Sequence, residues 1–271
     1  MMDLRKLPEV MPDDADERVA AIYDDVKGCL HVPFVNYLFR VLANDPADLE
    51  RSWLALRPWV LSRKFEERAD RLRRAAAPEE DPEPLDLGAR APESAGRIAA
   101  FNATIHGVLP RLLLIATGLA EGVPVGAHPG ERIEPGIPDE AESIPMVAVD
   151  EAEGRLAELF HDIRERHGHP GVASWYRSLG NWPDLLEEVW SRLSPRVGSE
   201  AYVRRREALV DLAAASWRGL DGERHHRVID DPDLEGVVRS FRDRLIPDLL
   251  IDVSYVRAAT PVAAGSPPME G

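Results

Sequence analysis

Apolar residues recur three and four apart along most of this chain. Between Asp13 and Leu30 they fall at Ala15, Val19, Ile22, Val26 and Leu30, the spacing of one helix face. The same spacing returns at Ala152, Leu156, Leu159 and Ile163, at Leu49, Trp53 and Leu56, and at Leu186, Val189, Trp190 and Leu193. Pro46 and Pro183 stand at the start of two of these runs, where a missing amide hydrogen costs little. Pro58 and Pro195 mark stops or changes of direction. Helices are also predicted over 65–77, 202–217 and 94–119, the last broken or kinked at Pro110, with Pro247 at the corresponding place downstream. No alternating strand pattern stands out. The pattern predicts an all-α fold.

The pattern is written twice. At a constant offset of 137, Pro8 matches Pro145, Asp25 matches Asp162, Arg40 matches Arg177, Asn44 matches Asn181 and Trp53 matches Trp190. Across 8–58 and 145–195 there are 18 identities in 51 ungapped positions. The offset also pairs Phe65 with Tyr202, and LPRLLL at 109–114 with IPDLLI at 246–251. Such a duplication suggests two tandem helical repeats packed as an intrachain pseudo-dimer about an approximate two-fold axis, with a cleft where the axis passes. The expected division is 1–120 for the first repeat, 121–144 for a Pro, Gly and acidic linker, 145–257 for the second repeat and 258–271 for a disordered tail. The stretches 78–93 and 121–143 read as solvated connectors.

Composition narrows the function. The 271 residues carry a formal net charge of -15, which opposes binding to nucleic-acid phosphates and to anionic lipid. With Cys29 alone, neither an intrachain disulfide nor a Cys-x-x-Cys redox pair can form. The start lacks a signal-peptide pattern and no run approaches the ~20 apolar residues of a membrane span. A cytoplasmic protein is expected, with no nucleic-acid or membrane partner; a homodimer is an allowed assembly.

Motifs of catalysis are scarce. Phosphate-binding glycine loops, H-E-x-x-H and G-x-S-x-G are absent. His161, Asp162, His167 and His169 lie close in sequence, but read better as a solvated helix end and loop than as a metal site. His225 and His226 fall in an acidic loop. Ser174 is followed by Trp175, Tyr176 and Arg177, with Trp182 nearby. A guanidinium could serve a carboxylate. Because Arg40 repeats Arg177, a shared structural role, such as an ion pair across the pseudo-dyad, is favoured for both. Trp53 and Trp190 read as core, and Asp184 as first-turn charge.

The stretches VPFVNYLFRVLANDPADLERSW, LPRLLLIATGL and SWYRSLGNWPDLLEEVW resemble the non-stereospecific (group I) alpha-haloacid dehalogenases across most of 8–257. The resemblance implies an all-helical pseudo-dimer that hydrolyses 2-halocarboxylic acids to 2-hydroxy acids between its halves, without cofactor or metal. It also implies an aspartate general base that activates water for direct attack, and an asparagine that holds that water. In this chain the base position of the family's Ser-Asp-Tyr-Arg stretch is Trp175, and the asparagine position is Leu109. Neither side chain can do the work of the residue it replaces. The catalytic residues are therefore unassigned, and the pocket candidates are Ser174, Trp175, Tyr176, Arg177, Leu109, Phe34 and Tyr37.

Two classes of function stay open. One is an enzyme of the haloacid class or a related one, with a base moved to Asp184, Asp162 or an acidic residue of the first half. The other is a non-catalytic protein, either a binder of a small carboxylic acid or a structural helical scaffold. A cavity filled by Trp175 and Leu109 would favour the second.

Overall fold

The structure is a computed structural model that describes residues 8–125, 129–220 and 224–260. The described residues form α1 (Glu17–Leu30), α2 (Tyr37–Leu42), α3 (Pro46–Val60), α4 (Arg63–Ala75), α5 (Leu87–Arg90) and α6 (Ala95–Glu121). There follow α7 (Gly154–His167), α8 (Ser174–Leu179), α9 (Pro183–Leu193), α10 (Glu200–Arg218), α11 (Pro232–Ser240) and α12 (Ile246–Ala259). Among the described residues the architecture is all-α but for one antiparallel pair, β1 (Val123–Val125) and β2 (Arg224–His226), in which Val123 faces His226. Three-residue strands are too short to show alternation, and β1 contains Pro124, so no sequence pattern announced them. His225 and His226 accordingly lie on a strand, not in a loop.

The helix starts repeat at the offset of 137. α1 and α7 begin at 17 and 154, α2 and α8 at 37 and 174, α3 and α9 at 46 and 183, α4 and α10 at 63 and 200, and α6 and α11 at 95 and 232. Equivalent side chains set these starts. Ser62 accepts from the Phe65 amide ahead of α4, and Ser199 accepts from the Tyr202 amide ahead of α10. The buried indoles of Trp53 and Trp190 donate to Asp25 and Asp162, each at 2.7 Å. Asn44 donates to the carbonyls of Pro8 and Val41; Asn181 does the same to Pro145 and Ser178. Arg18 pairs with Glu50 and Arg155 with Glu187.

α6 and α12 make the most extensive helix contact, and α4, α10 and α11 close around α6. Leu113, Leu114 and Ile115 on α6 are fully buried, each contributing about 1.5–3 kcal/mol relative to exposure. α6 has the length and apolar character that could cross a bilayer, yet most of that stretch lies inside the protein. Contrary to expectation, α6 runs unbroken through Pro110, and α3 continues past Pro58 to Val60. A proline removes one intrahelical bond; packing around α6 and proximity to the end of α3 absorb that loss. In the second half the chain instead takes a π-helical turn at Phe241–Leu245, so Pro247 falls in the first turn of α12.

The connectors are more tightly held than their composition suggests. Within 121–144, Ile133 bonds to the Leu61 carbonyl at 2.7 Å, Gly136 to the Gly28 carbonyl at 3.0 Å, and Ile144 is buried. Within 78–93, Leu85 and Leu87 are buried, and the Leu85 amide reaches the Ala259 carbonyl at 2.7 Å. α12 extends through Ala258 and Ala259; positions 261–271 of the expected tail lie outside the described residues.

Candidate functional site

The N-terminal ends of α2 and α8 border a cleft of about 160 Å³. Phe34, Asn36, Tyr37, Arg40, Phe101 and Ile105 line it from the first half, and Ser174 and Ser178 from the second. The cleft thus gathers three of the expected pocket residues: Phe34, Tyr37 and Ser174. The Asn36 amide nitrogen is buried here without a hydrogen-bond partner. Burial raises the Tyr37 phenol above its ordinary pKa, so it stays protonated and able to donate.

Among the described residues, neither repeated arginine makes an ion pair across the halves. Arg40 pairs with Glu9 at 2.7 Å and also donates to the Val35 carbonyl. Arg177 donates from Nε to the Val147 carbonyl at 3.0 Å. Among the described residues no carboxylate lies within ion-pair distance of Arg177. Burial pulls its pKa down, with Arg40 adding to the fall and Glu9 opposing it. The repeat preserved a backbone contact, since Val10 donates to the Arg40 carbonyl and Val147 to the Arg177 carbonyl. The ion pair was not preserved.

Trp175 and Leu109 do not open onto the cleft. Trp175 is fully enclosed and Leu109 is 3% exposed. The Trp175 indole donates to Oδ1 of Asn102 at 2.8 Å, and Asn102 is itself buried on α6, two turns before Leu109. Asn102 was missed in the sequence, where it is one polar residue in an apolar helix; its position on the same face as Leu109 was the available signal.

Tyr176 turns the other way, into a buried polar cluster. Its hydroxyl donates to Asp252 Oδ2 at 2.9 Å, while the Tyr202 hydroxyl reaches Asp252 Oδ1 at 3.1 Å and the Asp248 carbonyl at 3.0 Å. His167 Nε2 lies 3.3 Å from both Asp252 Oδ2 and the Tyr176 oxygen. His169 Nε2 lies 2.9 Å from Asp248 Oδ2. Burial drives the Asp252 carboxyl well above the usual carboxylate range and lowers His167 to about 3, so both groups favour their neutral forms. This corrects the reading of His167 and His169 as solvated: His167 is buried and the His169 side chain is only 6% exposed, and both lie near Asp248, whereas His161 and Asp162 stand apart. Asp248 and Asp252 escaped notice, although two carboxylates four apart in the apolar run IPDLLIDV signal buried polar chemistry.

A larger cavity, about 610 Å³, lies beyond this cluster. Asp252 and Tyr202 contribute to its wall, with Arg192, Arg196, Arg205, Tyr255 and the acidic 79–83 segment. Glu79, Glu80, Asp81 and Glu83 of that segment are exposed at its rim. Arg196 lies over the Tyr255 ring at 4.7 Å, and Arg205 holds the Ala76 and Ala77 carbonyls.

Comparison with known proteins decides the family. The family model described as halocarboxylic acid dehydrogenase DehI matches residues 33–176. This chain belongs to that family. It is 29% identical over 239 residues to a configuration-inverting 2-haloacid dehalogenase of Pseudomonas sp. (strain 113), covering 81% of this chain and 77% of the relative. An (R)-2-haloacid dehalogenase of Pseudomonas putida is 26% identical over 261 residues, covering 90% and 85%. A solved D-2-haloacid dehalogenase in complex with L-LA superposes with a TM-score of 0.80 at 22% identity, over 94% of this chain and 96% of that one. A mutant of a D-2-haloacid dehalogenase with D-2-CPA gives 0.79 at 21% identity. The fold of the dehalogenase family is therefore present over nearly the whole chain.

Within this dehalogenase-family fold, neither of the two named replacement bases reaches the cleft wall, whereas among the first-half acids Glu9 pairs with Arg40 on that wall. Asp184 is largely exposed in the first turn of α9, 3.8 Å from Arg155. Asp162 is occupied by the Trp190 indole and by Arg166 at 2.9 Å.

Proposed function

We propose that this dehalogenase-family chain keeps the family fold but has lost haloacid hydrolysis by the family route. Its remaining role is to bind a small organic acid in the cleft between α2 and α8. In this reading 1–120 and 145–257 are the two repeats of an intrachain pseudo-dimer joined by 121–144, and the cleft lies near its pseudo-dyad. The identical offset of five helix starts supports that arrangement.

The observation that carries the functional reading is the enclosed Trp175. It stands where the family resemblance expects a base, is fully buried, and bonds to Asn102. Indole has no basic lone pair near neutral pH, and Leu109 has no group to position water. Beside Arg40, which Glu9 pairs, the described cleft offers the unpartnered Asn36 amide, the Ser174 hydroxyl, the Tyr37 phenol and the nearby Arg177 guanidinium without a carboxylate partner among the described residues. These are donors, and donors suit a carboxylate. The relatives' names indicate 2-haloacids, and the cleft volume suits an acid of that size. A cytoplasmic setting without nucleic-acid or membrane partners fits the acidic surface and the single buried thiol.

The test is calorimetric titration with 2-chloropropionate, followed by analysis of the incubated mixture. Saturable binding that Ser174→Trp abolishes, with the acid recovered unchanged, is expected. Conversion to lactate, or binding untouched by Ser174→Trp, would refute the reading.

A further inference from the structure

The cleft between α2 and α8 is walled mainly by apolar side chains. Phe34, Phe101 and Ile105 of the first half share it with Ile144 and Met146 from the segment ahead of α7. Phe101, Ile105 and Ile144 are buried, whereas Phe34 is only partly covered by the rest of the protein. The space is about 160 Å³. An apolar cavity of about 150 Å³ takes up benzene. 2-Chloropropionate offers such walls one methyl group and one chlorine atom. A phenyl ring offers six carbons, and aromatic side chains pack against a ring at centroid separations of about 4.5–7 Å.

Among the described residues the polar side of the cleft carries one uncompensated charge. Arg40 is on the wall, but Glu9 accepts from its Nε at 2.7 Å and the Val35 carbonyl takes a terminal nitrogen. Ser178 donates to the Ile144 carbonyl at 2.9 Å. Arg177, one residue before Ser178 on α8, spends its Nε on the Val147 carbonyl. Its two terminal nitrogens have no hydrogen-bond partner among the described residues. Arg177 lies close enough to Glu9, Arg40 and Tyr37 for their charges to act on it. One guanidinium without a counter-ion, with the unpartnered Asn36 amide and the Ser174 hydroxyl, matches one carboxylate. A second carboxylate would meet Glu9, which already neutralises Arg40.

We propose that the ligand of this cleft is a monocarboxylic acid bearing an aromatic ring, of the arylacetate or 2-arylpropionate class, with the ring against Phe34 and Phe101 and the carboxylate at Arg177. This rests on the reading of the cleft as an acid-binding site and adds what the acid carries. Each buried methylene-sized group is worth about fourfold in affinity, so exchanging the chlorine of 2-chloropropionate for phenyl should tighten binding about tenfold or more. The competing account is that the apolar walls only pack the halves together. Phe101 and Ile144 satisfy it, but Phe34 keeps part of its ring uncovered on the cleft wall.

Calorimetric titration of the full-length protein with 2-phenylpropionate, 2-chloropropionate and phenylmalonate tests the proposal. 2-Phenylpropionate should bind about tenfold or more tightly than 2-chloropropionate. It should also outbind phenylmalonate, in which a second carboxylate replaces the methyl group. Phe34→Ala should weaken 2-phenylpropionate about tenfold and 2-chloropropionate far less. Should that variant fail to fold, saturation-transfer NMR on wild type gives an independent readout: the ring protons of 2-phenylpropionate should take up more saturation than its methyl protons. Tighter binding of 2-chloropropionate would overturn the aryl assignment and leave the acid-binding reading standing. Absence of binding by either acid would overturn both. Phenylmalonate binding as tightly as 2-phenylpropionate would overturn the single-carboxylate assignment. Unchanged 2-phenylpropionate affinity in folded Phe34→Ala, or weaker saturation of the ring than of the methyl group, would place the ring outside this cleft and overturn the proposal.

Discussion

The indole N–H of Trp175 and the side-chain oxygen of Asn102 meet at 2.8 Å, bridging α8 of the second half and α6 of the first. Both residues are buried, so the bond joins the halves at the position where a catalytic carboxylate is expected from the family resemblance. Removing the donor strands an acceptor in a dry interior, which costs about 1–3 kcal/mol. Trp175→Phe should therefore lower unfolding free energy by that amount in urea titration, with an unchanged m value. A neutral substitution would show that the bond contributes nothing to docking the halves.

Gly118 illustrates a second close approach. A Cβ at this position would lie 2.2 Å from Cζ2 of Trp217, whose indole is held by the Gly122 carbonyl at 2.8 Å. The tryptophan cannot retreat without losing that bond. Gly118→Ala should cost about 1–3 kcal/mol or more by overpacking, although alanine is the better helix former. Thermal melting checks this: a rise in Tm would mean that α6 and α10 separate easily.

His106 gives the fold a pH dependence. Burial, aided by Arg257 and Arg73, lowers its pKa to about 4, and its Nε2 lies 3.2 Å from the Ser254 hydroxyl. The unfolded chain binds this proton near pH 6.5, whereas the folded chain resists it. Stability from this residue is therefore fully present above pH 6.5 and is lost as pH falls from there towards 4. The span corresponds to about 2–3 kcal/mol, reduced by the partial exposure of the ring. Urea titrations at pH 7.5 and pH 5 should show a smaller acid loss in His106→Gln than in wild type. Equal losses would assign the acid sensitivity to other groups.

The helix starts were legible because the duplication repeats their determinants, from Ser62 and Ser199 to the Trp–Asp pairs. Periodicity located faces of helices but not their partners in space. Thus Phe34, Tyr37 and Ser174 line one cleft, whereas Tyr176, adjacent to Trp175 in the chain, serves a different cluster. His167 and His169 looked solvated because their acid partners lie some 80 positions downstream on α12. Pro110 looked like a break because local rules weigh its lost bond and cannot weigh the packing around α6. The connectors misled for the same reason: their polar composition is visible, but the backbone bonds from Ile133 and Leu85 are long-range.

The central claim is that Trp175 and Leu109 abolish the family's hydrolysis while the surrounding fold survives. Halide release from both enantiomers of 2-chloropropionate tests it most directly, with wild type measured beside Trp175→Asp and Trp175→Asp/Leu109→Asn. The account predicts silence in wild type, with halide release appearing in the double variant. Robust wild-type release that Ser174→Trp abolishes would contradict it, because the cleft would then house a working base other than the one lost.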